Sequence, residues 1–474
     1  MSEESSENAC PNCRRLMARI AELEKRVAEL ERLLAEALRG AKRQAAPFSK
    51  GRPKEDPKPP GRKAGPNYGP KAYRPIPDAS REPDEIIDVP WPTDCPHCGG
   101  RVEKDGEHPP AHQYQVEIPR RPIHRRFDLH AGRCVRCGRR VQGRDPRQTS
   151  DAVGSAGSQL GPDAQAAIGL FKNKYGLSYG DIRGIFQDFF GVPISRGGAA
   201  QIVLRTAHRA RDAYHAIVRI VRQALVVYPD ETGWKVGGRL QWLWVFVTPT
   251  VTLYVIRPCR GHEVPEEILG AEWAGSMTHD GWSPYDFFAR ARHQQCVTHL
   301  LGRARALLET AARGAVQFPR KVKALFQDAL ALRNRSRCIG TAAISPHGLT
   351  VARGRLENRL DDLLDGRFSN PHNLRFRNHL ARHRDQLFTF LYQRGIEASN
   401  WPAEQAIRPA VVNRKVFGGN RTEAGARAQE ILATLFATWA QRGYQAMNGL
   451  SQLLRLPTEH RMAYIQNLLP VPTA

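Results

Sequence analysis

No apolar run among the 474 residues reaches the ~18–20 residues that a membrane-spanning helix requires. The opening stretch MSEESSENACPNC lacks a basic region followed by an apolar core, so no secretory signal is expected there. Both absences point to a cytoplasmic chain with no membrane partner. Acidic residues are scarce too: 47 Asp and Glu stand against 71 Lys and Arg, a formal net charge of +24. A surplus of that size concerns partners rather than fold. Nucleic acid is the expected polyanion, because its phosphates attract Lys and Arg and release counterions on binding. In a reducing compartment the nine cysteines are metal ligands or core residues rather than disulfides.

Within residues 10–38, Cys13, Leu16, Ile20, Leu23, Val27, Leu30, Leu34 and Ala37 recur at steps of three and four. This heptad seam predicts a coiled coil that pairs two chains, with a single helix docked on the body as the alternative. Residues 39–89 are dense in Pro, Gly, Lys and Arg and read as a basic linker unable to fold alone. Residues 90–145 carry CPHCGG (Cys95, Cys98) and CVRCGRR (Cys134, Cys137), joined by a spacer that alternates like strands. Two such thiolate pairs predict a zinc ribbon-like element, with Zn2+ first of all a fold stabiliser. Cys10 and Cys13 form a third pair with no partner pair and are read as seam residues rather than ligands.

Residues 155–222 read as helical. One apolar-periodic helix (Ile182, Ile185, Phe186, Phe189) is followed by a break at Gly191–Pro193 and a second helix capped by Ser195. That pattern suits a helix-turn-helix-like DNA-binding segment, although plain helix packing gives the same pattern.

From residue 224 the texture changes to strands, ALVVYPDETGWKV, LQWLWVFVTP and VTLYVIRP, with turns at Gly237-Gly238 and Pro249-Thr250. Asp230 is expected at the end of the first strand and Asp280 at the end of a later one. Carboxylates at strand ends can converge where a sheet opens and there bind hard cations. Alone, each Asp is weak support, because Asp is common in turns. Far downstream, Asn400 can cap a helix whose first turn holds Pro402 and Glu404. Arg408, Arg414 and Lys415 follow on that helix as candidate phosphate contacts. Taken alone, Glu404 reads as an acid favoured by the helix dipole.

Together these segments resemble the insertion-sequence sixty-six family of bacterial DDE transposases. The resemblance rests on PDETGWKVGG, DGWSPY, CVTHLLGRA and NWPAEQAIRPAVVNRKVFGGNRTEAGA, with the N-terminal elements in the same order. Trp401 and Thr298 depart from residues frequent in the family.

The resemblance implies a multidomain α+β protein with a ribonuclease-H-like α/β catalytic core at 223–302 and 396–445. It implies catalytic, metal-holding Asp230, Asp280 and Glu404 with Mg2+ (or Mn2+), and a C-x-x-H step at Cys296 and His299, for which a supporting role is expected. More than 120 residues separate Asp280 from Glu404, so residues 303–395 read as a helical insertion, and residues 446–474 as C-terminal helices and a tail. The activity implied is metal-dependent cleavage of element ends and strand transfer into target DNA. Implied too are a homodimer or higher oligomer, small accessory proteins of the same element and a nucleoid location. A catalytically inactive DNA-binding relative and a ribonuclease-H-like nuclease are the alternatives.

Overall fold

The computed structural model describes residues 11–42, 84–88, 93–95, 97–102, 118, 121–145, 147–149, 152–153, 160–310, 313–337, 344–393, 395–457, 460–461 and 464. Most of the linker, Cys10, residues 103–117 of the spacer between the cysteine pairs and the C-terminal tail lie outside these residues. The chain divides into two units, residues 48–123 and residues 1–47 with 124–474.

In the smaller unit the described residues form one tight turn. The Cys95 N–H donates to the Gly100 carbonyl at 2.7 Å, and the Gly99 N–H to the Cys95 carbonyl at 2.8 Å. Gly99 takes φ 70°, a left-handed conformation that glycine adopts without a Cβ penalty.

The larger unit begins with α1 (Pro11–Lys42). Its seam residues Leu16, Ile20, Leu23, Val27 and Leu30 lie between 48% and 62% exposed, so this apolar stripe faces solvent. Next, β1 (Ala131–Arg133) and β2 (Arg140–Gln142) pair antiparallel around CVRCG. The expected strand run before Cys134 is shorter than its alternation suggested: residues 121–130 are irregular. Arg-dense, exposed residues there offer little apolar surface to hold a strand.

Four helices follow: α2 (Pro162–Asn173), α3 (Tyr179–Phe190), α4 (Arg196–Arg209) and α5 (Arg211–Arg222). A reciprocal capping box between Ser178 and Asp181 starts α3, and Gly191 at φ 63° ends it. Ser195 accepts from the Gly198 N–H and starts α4. Ile182 and Phe186 pack inward, whereas Phe189 is 57% exposed.

Strands β3 (Val226–Val236), β4 (Arg239–Val247) and β5 (Thr252–Arg257) form an antiparallel meander. Gly237 and Gly238 both have positive φ between β3 and β4, as a two-residue hairpin with the sheet's twist requires. After α6 (Glu263–Leu269), strands β6 (Ser276–His279) and β7 (Arg292–Gln295) add in parallel on the other side of β3. The sheet order is β5-β4-β3-β6-β7.

Alternation along β3 to β5 divides the core between the two faces. Val227, Trp244, Phe246, Leu253 and Val255 pack with α2, α4, α5 and the C-terminal helices α13 (Glu423–Gln441) and α14 (Ala446–Arg455). The opposite face, with Val226, Tyr228, Leu243 and Val245, is covered by α7 (Val297–Thr310), α8 (Gln317–Ser336), α9 (Pro346–Leu364), α10 (Pro371–Arg382), α11 (Thr389–Tyr392) and α12 (Trp401–Phe417). The 303–395 segment therefore packs into the core on this face: Leu325, Phe326, Phe376 and Leu380 in it are at most 1% exposed.

The edge of β5 is covered by side chains. The N–H groups of Thr252, Tyr254 and Ile256 donate to Thr438 Oγ1, Thr434 Oγ1 and Glu430 Oε1. Those acceptors recur every four residues on one face of α13, and the donors every second residue on β5, so two periodicities meet along one line.

Candidate active site

The sheet places Asp230 and Asp280 side by side. Val226 pairs with Ser276 in the parallel ladder, and each aspartate lies four residues beyond its member of that pair. Asp280 follows the last residue of β6, as expected. Asp230 does not end its strand. It pairs with Val245 in the interior of β3, which runs on to Val236. The parallel partner stops while the antiparallel one continues, so Asp230 sits where the two halves of the sheet part company.

Glu404 arrives from the first turn of α12. Asn400 precedes that helix but makes no side-chain cap. Instead its Nδ2 donates to the Pro229 carbonyl at 2.7 Å, one residue before Asp230. The Asn400 N–H donates to Cys296 Sγ at 3.2 Å, and the Cys296 N–H to the His279 carbonyl at 2.7 Å. One chain of hydrogen bonds thus links the backbone beside Asp230, the start of α12, the start of α7 and the residue before Asp280. Further back, the Glu397 N–H donates to the Tyr228 hydroxyl at 3.0 Å, and Thr278 Oγ1 donates to the Glu397 carbonyl at 2.9 Å.

Charge reports the same convergence. Burial, chiefly, pushes the Asp230 carboxyl up to about 7, and the Glu231, Asp280 and Glu404 carboxylates add to the rise. The Glu231 N–H donates to Asp230 Oδ1 at 2.9 Å and opposes it. Like charges raise a carboxyl only when they are near.

Sequence reasoning missed the network on the opposite face of β3. Glu231 has a side chain only 4% exposed. Its Oε1 accepts from Arg260 Nε at 2.9 Å and Nη2 at 2.8 Å, and its Oε2 from the Tyr285 hydroxyl at 3.0 Å. The Arg260 guanidinium lies 4.6 Å from the Trp242 ring and 4.0 Å from the Trp282 ring. The Trp282 backbone N–H in turn donates to Asp280 Oδ1 at 2.9 Å. Burial raises the Glu231 carboxyl, while Arg260 and Tyr285 hold it down. The only available signal was a second acid directly after Asp230, and strand alternation turns such a neighbour away from it.

Behind Asp280, the His279 Nδ1 accepts from the Gly281 N–H at 3.2 Å. That contact assigns the proton to Nε2, which faces His293 Nδ1 at 3.0 Å, while His293 Nε2 donates to the Phe288 carbonyl at 2.9 Å. Burial keeps His279 well below its ordinary value. Gly281 has φ 90°, and a Cβ there would lie 2.5 Å from Gln295 Oε1, so glycine is required on both counts.

The remaining expected residues divide. Arg408 and Lys415 are exposed on α12. Arg414 is instead a latch: its Nη1 donates to Thr232 Oγ1 at 2.9 Å and to the Gly233 carbonyl at 2.6 Å. Cys296 is buried, and His299 Nδ1 lies 3.6 Å from Glu404 Oε1. The hydrogen bond to Cys296, then the charges of Cys296, Glu404 and Asp280, push the His299 imidazole up to about 9 against the effect of burial.

The two cysteine turns share one pattern. Like Cys95, the Cys134 N–H donates to a carbonyl five residues on, at Arg139 (2.9 Å), and the Gly138 N–H returns to the Cys134 carbonyl at 2.8 Å. Backbone N–H groups of His97 and Cys98 lower the Cys95 thiol, and those of Cys137 and Arg136 lower the Cys134 thiol. A lowered thiol favours the thiolate that binds metal.

Fold and site together define a mixed α+β protein with Asp230 and Asp280 on neighbouring strands where the parallel and antiparallel halves of its sheet diverge. The chain belongs to the Transposase IS66 family, whose sequence model matches residues 157–428. No curated protein matches it. Membership implies DNA as a partner and divalent-metal use in general. No described helix is long and apolar enough to cross a membrane.

Proposed function

We propose that this protein is a DNA transposase of the acidic-triad type, with a ribonuclease-H-like core in which Asp230, Asp280 and Glu404 hold catalytic Mg2+ or Mn2+. The observation that carries this reading is the strand register, which sets Asp230 and Asp280 each four residues beyond the paired Val226 and Ser276, with Asp280 and Glu404 adding to the burial and the Glu231 charge that raise Asp230. The sheet order β5-β4-β3-β6-β7, three antiparallel strands extended by two parallel ones, supports the core assignment. The donor type, three carboxylates, suits a hard divalent cation, since such ions take oxygen ligands. Two such cations supply activation of the attacking oxygen and stabilisation of the leaving oxygen in a phosphodiester displacement.

The chain's own residues position the reaction. The hydrogen bonds of Asn400 and Cys296 tie the start of the Glu404 helix to the backbone beside the two aspartates. Glu231 and Arg260 hold the Trp282 loop, and through its N–H the Asp280 carboxylate. Arg408 and Lys415 are exposed on the helix of Glu404 and are placed to meet DNA phosphates. Helices α3 and α4 read as the DNA-binding pair, with Arg196, Gln201, Arg205 and His208 on the exposed side of α4. The solvent-facing stripe of α1 supports pairing of protomers, which would bring two element ends together. The lowered Cys95 and Cys134 thiols support structural zinc.

Incubation with Mg2+ and the DNA flanking its own gene tests this reading. Strand cleavage and joining are expected from the wild type. Asp230→Asn, Asp280→Asn and Glu404→Gln should each lose both by a factor of about 100 or more. Equal cleavage by wild type and all three variants would remove the triad. Cleavage without joining would favour a hydrolytic nuclease.

A further inference from the structure

Glu404 also belongs to a second donor set of different chemistry. Cys296 Sγ, a His299 ring nitrogen and a Glu404 carboxylate oxygen all lie within 4.8 Å of one another. The fold builds this set from two helix starts. Cys296 immediately precedes α7 and His299 lies in its first turn, three residues on, so both side chains share a face. The Asn400 N–H, on Cys296 Sγ, brings in the first turn of α12 with Glu404.

The donors also grade from inside to outside. Cys296 is 1% exposed, while the Glu404 and His299 side chains are 34% and 51% exposed. A cation can therefore enter from the imidazole side and retain a water opposite the sulfur.

Ligand type decides which cation. Magnesium takes oxygen donors and discriminates against sulfur. One sulfur, one nitrogen and one oxygen suit zinc or cobalt. In a tetrahedral site with bonds of ~2.0–2.3 Å, ligand atoms stand ~3.3–3.8 Å apart. The 3.6 Å between His299 Nδ1 and Glu404 Oε1 already matches such an edge. A protonated imidazole and a metal ion are alternative positive charges for the same donors.

We propose that Cys296, His299 and Glu404 form a binding site for a thiophilic divalent cation of the zinc class, completed by water. Binding releases the thiol proton, and the imidazolium proton where present, to solvent. Because Glu404 serves both donor sets, a cation drawn toward Cys296 and His299 removes a ligand from the magnesium site. This inhibitory consequence rests on the catalytic reading of Glu404; the binding itself does not.

Zinc content decides the matter. Full-length wild type, Cys296→Ser, His299→Gln and Glu404→Gln are equilibrated with buffered Zn2+ in excess Mg2+, freed of unbound metal and measured by mass spectrometry. Wild type is expected to hold about one zinc per chain more than each variant. Circular dichroism confirms folding, and the half-exposed His299 position keeps the comparison valid if Cys296→Ser misfolds. Equal zinc in wild type and the folded variants would overturn the site. A second readout is the ratio of Mg2+-dependent cleavage with and without added Zn2+, expected to fall at least about tenfold in wild type and to stay near one in His299→Gln. Equal ratios would overturn the inhibitory consequence. Absence of any Mg2+-dependent cleavage in wild type would overturn the catalytic reading, with the zinc content still deciding the site.

Discussion

Asn400 joins the helix of Glu404 to the strand of Asp230: its Nδ2 donates to the Pro229 carbonyl at 2.7 Å. The side chain is 2% exposed, so no solvent replaces this bond when it is lost. Asn400→Ala should destabilise the fold by ~1–3 kcal/mol, as expected for a buried acceptor left unpaired. It should also raise the Mg2+ concentration needed for half-maximal cleavage. Thermal denaturation and a Mg2+ titration of cleavage check the two effects separately.

Asp230 gives the fold an unusual pH dependence. Its folded value, about 7, lies above the ordinary 3.8. Across that window the folded chain retains a proton that the unfolded chain has released. Its contribution to stability therefore falls as pH rises from about 4 to about 7 and levels off above. In chelator, melting at pH 8 should rise on Asp230→Asn by a few degrees while cleavage disappears, and the gain should vanish at pH 4. Added Mg2+ should stabilise wild type more than the variant.

Arg260 neutralises a carboxylate that alternation has turned into the core. Arg260→Ala leaves Glu231 buried without its cation. The expected loss is ~3 kcal/mol, toward the low end for a broken buried pair because the guanidinium is itself 36% exposed. Cleavage should fall with it, because Trp282 loses the group it packs against. Glu231→Gln, which keeps acceptor and shape, should be milder in both a denaturant melt and a cleavage assay.

The three basic residues of α12 should separate in a salt titration of DNA binding. Arg408→Ala and Lys415→Ala are each expected to weaken binding uniformly across sequences and to reduce the log–log salt slope by about one. Arg414→Ala should change the slope less than either and lower the melting temperature, since its Nη1 is held by Thr232 and Gly233.

Structural zinc predicts its own signature. Cys95→Ser combined with Cys134→Ser should lower the zinc content of the chain. Unchanged metal content in the double variant would end the zinc reading of the two turns.

The local setting of several residues was legible from residue type and position. Asp280 before Gly281, Glu404 behind Pro402, and the hairpin glycines Gly237 and Gly238 declare themselves because local chemistry dictates them: turns need glycine, and helix starts favour proline and acids. Side-chain partners were not legible. Asn400 read as a cap and became a strut, and Arg414 read as a phosphate contact and became a latch. Glu231 drew no notice until Arg260, Tyr285 and two tryptophans closed around it.

By itself, the sequence determined the charge, the heptad stripe, the two thiol pairs and the periodicities that make each helix and strand, since these follow from residue type and spacing. The tertiary structure alone decided that Asp230 lies inside its strand, that the 303–395 helices pack into the core on one face of the sheet, and that Glu404 stands within reach of the Cys296–His299 pair. These outcomes depend on contacts between residues far apart along the chain, as from Asn400 to Pro229, 171 positions away. No local pattern encodes such contacts, because they form only when distant apolar faces pack on a common sheet.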